Sequence, residues 1–129
     1  MPRLFRFIAL AGALTVAVAA FAVTALARPE ASHPKLIGTV GKNDAYKINL
    51  KTAAGNTVKK LKAGTYTVVI HDDSSMHNYE LDGPHGKSWT FTSVPSRGTK
   101  TFTLKLAAGA YKAYCSAHES EMFQHFTVS

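Results

Sequence analysis

Cys115, His118 and Met122 fall at the spacing C-x2-H-x3-M, in the segment Cys115-Ser-Ala-His118-Glu-Ser-Glu-Met122 of a 129-residue chain. A thiolate is a soft ligand, an imidazole is borderline, and a thioether is soft and weak. That mixture suits copper in both oxidation states better than zinc or calcium. Two His and one Cys in a trigonal set, with a distant axial Met, describe an electron-transfer copper site. Such a set needs a second imidazole from elsewhere in the chain.

His77 is the best candidate for it. It opens a strand-like run, His77-Asn78-Tyr79-Glu80-Leu81, straight after the loop Asp72-Asp73-Ser74-Ser75. His33, His71, His85 and His125 read as surface or otherwise satisfied residues. Simpler roles stand beside the chemical ones. Cys115 is the only cysteine; it could be an inert buried thiol or bridge two molecules. Met122 could fill the core at a strand start.

The elements that would hold these residues are strands. Turn signals recur at short intervals: Gly41-Lys42-Asn43-Asp44, Ala54-Gly55-Asn56, Ala63-Gly64, Asp82-Gly83-Pro84, Pro95-Ser96-Arg97-Gly98 and Ala108-Gly109. Between them the composition predicts strands over Leu36 to Val40, Ala45 to Thr52, Thr65 to His71 and His77 to Leu81. Four more are predicted over Trp89 to Val94, Thr99 to Leu106, Ala110 to Cys115 and Phe123 to Val128. Tyr66, Val68 and Ile70 alternate against Thr65, Thr67 and Val69. Phe102, Leu104 and Leu106 alternate against Thr101, Thr103 and Lys105. Seven or eight short strands predict an all-β, Greek-key β-sandwich. No internal repeat or low-complexity tract is evident.

The first 27 residues read as a secretory signal peptide. Arg3 and Arg6 precede an uncharged stretch from Phe7 to Leu26, which closes on Ala25-Leu26-Ala27, a site for cleavage after Ala27. A retained membrane anchor is the alternative. Residues 28–34 read as a short linker and residues 35–129 as the folded domain. Without Arg3 and Arg6 the remainder holds 13 Lys and Arg against 8 Asp and Glu, a net charge of +5. That excess predicts a solvated basic surface, or attraction to an acidic partner. No pattern of interleaved aromatic and basic residues suggests nucleic-acid binding.

The chain resembles the cupredoxins, the small blue copper proteins that include plastocyanin, pseudoazurin and amicyanin. The resemblance rests on Leu-Lys-Ala-Gly-Thr-Tyr at 61–66, His77-Asn78, Gly-Ala-Tyr-Lys-Ala-Tyr-Cys-Ser-Ala-His at 109–118, and the closing run from Met122 to Val128. It implies His77 and His118 as imidazole ligands, Cys115 as the thiolate and Met122 as the axial thioether. It also implies that Asn78 helps tie its strand to the cysteine loop, that Ser116 stands at the matching position just after Cys115 as a second supporting residue, and that His118 passes the electron. There are departures. Three residues, Glu119-Ser120-Glu121, separate His118 from Met122, where plastocyanin-like loops have four and amicyanin-like loops two. Ala117 replaces the proline that often precedes the loop His.

The expected protein is therefore an exported, periplasmic or secreted carrier of one copper ion, monomeric, exchanging electrons with redox partner proteins. It is not expected to be an enzyme or to keep a membrane span after cleavage. A periplasmic copper chaperone or resistance protein would use the same residues. A metal-free cupredoxin-like interaction module would use none of them.

Overall fold

The computed structural model describes residues 32–129. The expected signal peptide, and the linker before Ser32, lie outside the described residues. Among the described residues no helix is long and apolar enough to cross a membrane.

Period-two alternation builds the strands, because successive side chains of an extended chain point to opposite faces. In β4 (Gly64–Asp72), Tyr66, Val68, Ile70 and Asp72 are buried and the residues between them are not. In β7 (Gly98–Leu106) the buried Leu104 and Leu106 continue the row of Phe102. The remaining strands are β1 (Lys35–Val40), β2 (Ile48–Thr52), β3 (Lys60–Leu61), β5 (Glu80–Asp82), β6 (Ser88–Thr90), β8 (Gly109–Tyr114) and β9 (Phe123–Val128). One sheet has the order β2-β1-β4-β7 and the other β3-β9-β8-β5-β6. Both are mixed: β1 runs parallel to β4, and β3 parallel to β9. Leu36, Val40, Leu50, Val68, Ile70, Leu81, Leu104, Leu106 and Phe126 belong to one buried apolar cluster. This is the β-sandwich that the alternation predicts.

Several elements differ from the sequence expectation. There are nine strands among the described residues rather than seven or eight, because β3 has only two residues and carries no alternation. The strand expected from Ala45 starts at Ile48, since Lys42–Asp44 form a tight 3-10 turn whose bonds reach as far as Lys47. His77 is not on a strand; β5 starts at Glu80. The N–H groups there bond to side chains instead of a ladder: the Asn78 N–H points at Cys115 Sγ (3.5 Å) and the Tyr79 N–H donates to Thr92 Oγ1 (2.8 Å).

A short repeat also went unread. Leu61-Lys-Ala-Gly-Thr-Tyr66 and Leu106-Ala-Ala-Gly-Ala-Tyr111 share the pattern Leu-x-Ala-Gly-x-Tyr. Both end in the same device. The Tyr66 hydroxyl donates to the Lys62 carbonyl (2.7 Å) and the Tyr111 hydroxyl to the Ala107 carbonyl (2.9 Å). Each is a tyrosine corner that pins a turn to the strand leaving it. Gly109 is required in the second turn: its φ is +149°, and a Cβ there would meet Pro84 at 2.6 Å. Tyr66→Phe and Tyr111→Phe are each expected to lower the stability of the metal-free protein by about 1 kcal/mol, the usual worth of one such bond. Urea unfolding reads this as a lower midpoint at unchanged slope. Wild-type midpoints would mean that water serves the two carbonyls equally well.

Candidate metal centre

The inward rows of β8 and β9 deliver two of the sequence-predicted residues. Tyr111 and Ala113 are buried on β8, and Cys115 is the next residue in that row. Phe126 and Val128 are buried on β9, Gln124 is partly so, and Met122 precedes them in the same row. Alternation alone therefore turns both sulfur side chains into the sandwich, and both are buried. Gln124 holds β9 in place by bonding to Leu50 and Val58 across the edge of the core: its Oε1 accepts from Leu50 N (2.9 Å), and its Nε2 donates to the Leu50 and Val58 carbonyls.

The loop between the two strands closes on itself. Cys115 N donates to the Met122 carbonyl (3.1 Å), and Met122 N to the His118 carbonyl (2.9 Å). His118 N donates back to the Cys115 carbonyl (3.1 Å). His118 ends a 3-10 turn, Ser116–His118, and is partly exposed. Glu119, the first of the two spacer glutamates, pairs with Lys112 on β8. An ion pair this exposed is worth about 0–1 kcal/mol.

His77 approaches from the segment before β5 and is fully buried. Its Nδ1 lies 3.0 Å from His118 Nδ1, and each Nδ1 lies 3.8 Å from Cys115 Sγ. Among the described residues this is the only cluster of at least three His, Cys, Asp or Glu side chains close enough to hold one ion. A triangle with these edges can be spanned by an ion bonded at about 2.0–2.3 Å to nitrogen and sulfur. His77 Nε2 is buried with no hydrogen-bond partner. A proton on Nε2 leaves the Nδ1 lone pair facing the centre, as a metal requires. The donor set is soft sulfur with two imidazoles, which fits copper and not a hard cation.

Asn78 and Ser116 meet in a two-bond pair. Asn78 Nδ2 donates to Ser116 Oγ (2.9 Å), and Asn78 Oδ1 accepts from Ser116 N (2.8 Å). Sequence reading missed what lies beyond them. Asn78 Nδ2 also donates to Glu80 Oε1 (2.7 Å), and the Tyr114 hydroxyl donates to Glu80 Oε2 (2.9 Å). Burial, the Glu80 hydrogen bond and the nearby negative charges of Glu80, Asp82 and Glu119 hold Tyr114 well above the ordinary tyrosine range. The phenol therefore stays protonated and remains the donor. Tyr79 is also pushed well up, by burial alone, and its hydroxyl donates to the Asn49 carbonyl (2.9 Å). The Glu80 link was legible in principle, since residues 78 and 80 share one face of an extended chain. His33, His85 and His125 are exposed, and His71 meets Thr99 Oγ1 at 2.9 Å; none joins the cluster.

No protein-family model matches the chain, and no curated protein matches it. Solved structures do. Rusticyanin from Thiobacillus ferrooxidans is 15% identical over 74% of this chain and 76% of its own, at a TM-score of 0.52. A methionine-to-glutamine mutant of rusticyanin is 16% identical with the same two coverages and the same TM-score. A further rusticyanin structure, described as that of a copper protein, is 15% identical over 74% and 76% at 0.52. Strand order, inward rows and these similarities agree: the described chain has the cupredoxin fold.

Proposed function

We propose that the protein carries single electrons between redox partners on one copper ion held by His77, Cys115, His118 and Met122. The observation that carries this reading is the convergence of two imidazole Nδ1 atoms, 3.0 Å apart, on a buried thiol 3.8 Å from each. Copper, when bound, supplies the one-electron couple. His77 Nδ1, His118 Nδ1 and the Cys115 thiolate would hold it, with the Met122 thioether as a weaker fourth donor. A set of four protein donors leaves no open position for a substrate, which favours a carrier over an enzyme. The Asn78–Ser116 pair and the closed loop would hold the donors in one arrangement, which favours electron exchange with little rearrangement. His118 is the donor that reaches the surface, and it is the exit for the electron.

In this reading residues 1–27 export the chain to the periplasm or medium, residues 28–34 are a linker, and the domain from 35 onward works as a monomer. The net charge of the mature part favours acidic partner proteins. The test is to add Cu(II) to the purified protein and record its visible spectrum. An intense thiolate-to-copper band is expected, with reversible one-electron electrochemistry. No such band would overturn the copper assignment. A band without reversible electrochemistry, but with fast metal transfer to an acceptor, would mark copper delivery instead.

A further inference from the structure

Tyr46 lies against both candidate imidazoles. Its ring meets His77 edge-to-face at 5.0 Å between centroids and 77°, and His118 at 4.6 Å and 71°. The two imidazoles meet each other at 4.8 Å and 69°. Three rings thus form one mutual edge-to-face cluster, with Tyr46 as its outer member at 50% exposure.

The chain goes to some length to put it there. The turn before Tyr46 has three residues in the left-handed region: Gly41 (φ +66°), Asn43 (+56°) and Asp44 (+55°). Asn and Asp tolerate that region better than other side chains, but they persist in it only where neighbours fix them. Here neighbours do. Ser74 Oγ donates to Asp44 Oδ1 (2.8 Å) and accepts from Met76 N (3.2 Å), which ties the turn to the segment carrying His77. Gly41 N donates to the Lys47 carbonyl (3.0 Å), closing the turn around Tyr46. Gly41 also packs its backbone against the site: a Cβ there would meet Ser74 and come within 2.9 Å of His77 Cδ2.

The two imidazoles need this differently. His77 is enclosed on all sides. His118 stands on a short turn at the surface, and rotation about the last torsion of a histidine has two broad wells. A half-turn would replace Nδ1 by carbon and withdraw the donor. We propose that Tyr46 is a positioning residue which holds the His118 ring with Nδ1 facing Cys115. This rests on the copper reading for its purpose, but not for its geometry.

The test compares wild type, Tyr46→Phe and Tyr46→Ala. In the metal-free protein, aromatic NMR should give one His118 ring orientation in contact with Tyr46. Tyr46→Phe should keep it, and Tyr46→Ala should lose the His77–His118 ring contacts. In chelator competition, Tyr46→Ala should bind copper about 10–100-fold more weakly, the usual cost of an outer partner to a ligand. Tyr46→Phe should bind within about twofold of wild type by the same comparison. The urea midpoint of metal-free Tyr46→Ala should stay close to wild type, which separates positioning from a general role in stability. An unchanged His118 ring and unchanged affinity in Tyr46→Ala would overturn the proposal. So would a Phe variant as impaired as Ala, since that would place the effect in the hydroxyl. Failure of the wild type to develop the thiolate band would remove the copper reading, while the NMR comparison still decides the role of Tyr46.

Discussion

Cys115→Ser is expected to fold, and to show no thiolate-to-copper band when Cu(II) is added. The side chain is fully buried, with Asn78 N 3.5 Å from its sulfur. Serine is smaller, and its hydroxyl has that same N–H to accept from. The metal-free protein should therefore lose only about 1–2 kcal/mol, the cost of an imperfectly satisfied buried hydroxyl. The metal-bound state loses far more. Serine does not ionise at neutral pH and is a hard donor, so copper affinity should fall by at least about 100-fold, the upper end for losing a mere outer partner. At a copper concentration about 1,000 times the wild-type Kd, binding stabilises the native state by about 4 kcal/mol. A 100-fold weaker variant would gain only about 1.4 kcal/mol under the same conditions. Thermal melts with and without copper read the difference directly, at about 4–8 °C per kcal/mol for a domain of this size. A variant that kept the wild-type gain would place the metal somewhere other than at Cys115.

Asn78→Ala is expected to weaken both fold and site while leaving every donor in place. One amide makes three bonds: to Ser116 N, to Ser116 Oγ and to Glu80 Oε1. Asn78 itself is buried. Truncation strands the Ser116 N–H and takes one of the partners of the Glu80 carboxylate. Ser116 is exposed and Glu80 keeps Tyr114, so the metal-free protein should lose about 1–3 kcal/mol in urea unfolding. Copper affinity should fall about 10–100-fold as well, because the Cys115 loop loses its tie to the His77 segment. Asn78→Asp separates the two functions of the amide. It can still accept from Ser116 N, but it loses the Nδ2 donor and sets a second carboxylate against Glu80, so it should rank between wild type and alanine. An Asn78→Ala protein with the wild-type urea midpoint would show that the pair with Ser116 is incidental.

Cys115, His118 and Met122 could be read together because they are neighbours in the chain, and the alternation of β8 and β9 could be read for the same reason. Tyr66, Val68 and Ile70, or Leu104 and Leu106, disclosed their faces through a local period of two. His77 came from ligand chemistry and from resemblance, and its placement on a strand was wrong. Its neighbours Asn78 and Tyr79 spend their N–H groups on Cys115 and Thr92, and no local pattern announces a partner 37 or 13 residues away. Tyr46 was invisible for a related reason. Nothing in Gly41-Lys42-Asn43-Asp44-Ala45-Tyr46 says that three left-handed residues will turn the ring onto histidines far along the chain. The repeated Leu-x-Ala-Gly-x-Tyr is local and legible in the sequence, but that both tyrosines bond back to a carbonyl four residues earlier is a property of the folded turn. What local periodicity carries was legible; what depends on the docking of distant loops was not.

The hairpin β8–β9 holds three of the candidate donors within eight residues, and its strands pair directly from Tyr114 opposite Phe123 to Gly109 opposite Val128. The fourth donor stands 38 residues before Cys115. Neighbouring strands find each other early, while pairing between distant segments must first overcome the entropy of closing a long loop. The centre is therefore expected to assemble in two stages. The hairpin is expected to gather thiol, imidazole and thioether first, and His77 to arrive when β5, three residues further along, pairs with β8 in the same sheet. A nascent chain would thus present a three-donor, open-sided trap before it presents a closed one, and whichever ion is abundant at that moment has the first opportunity to enter.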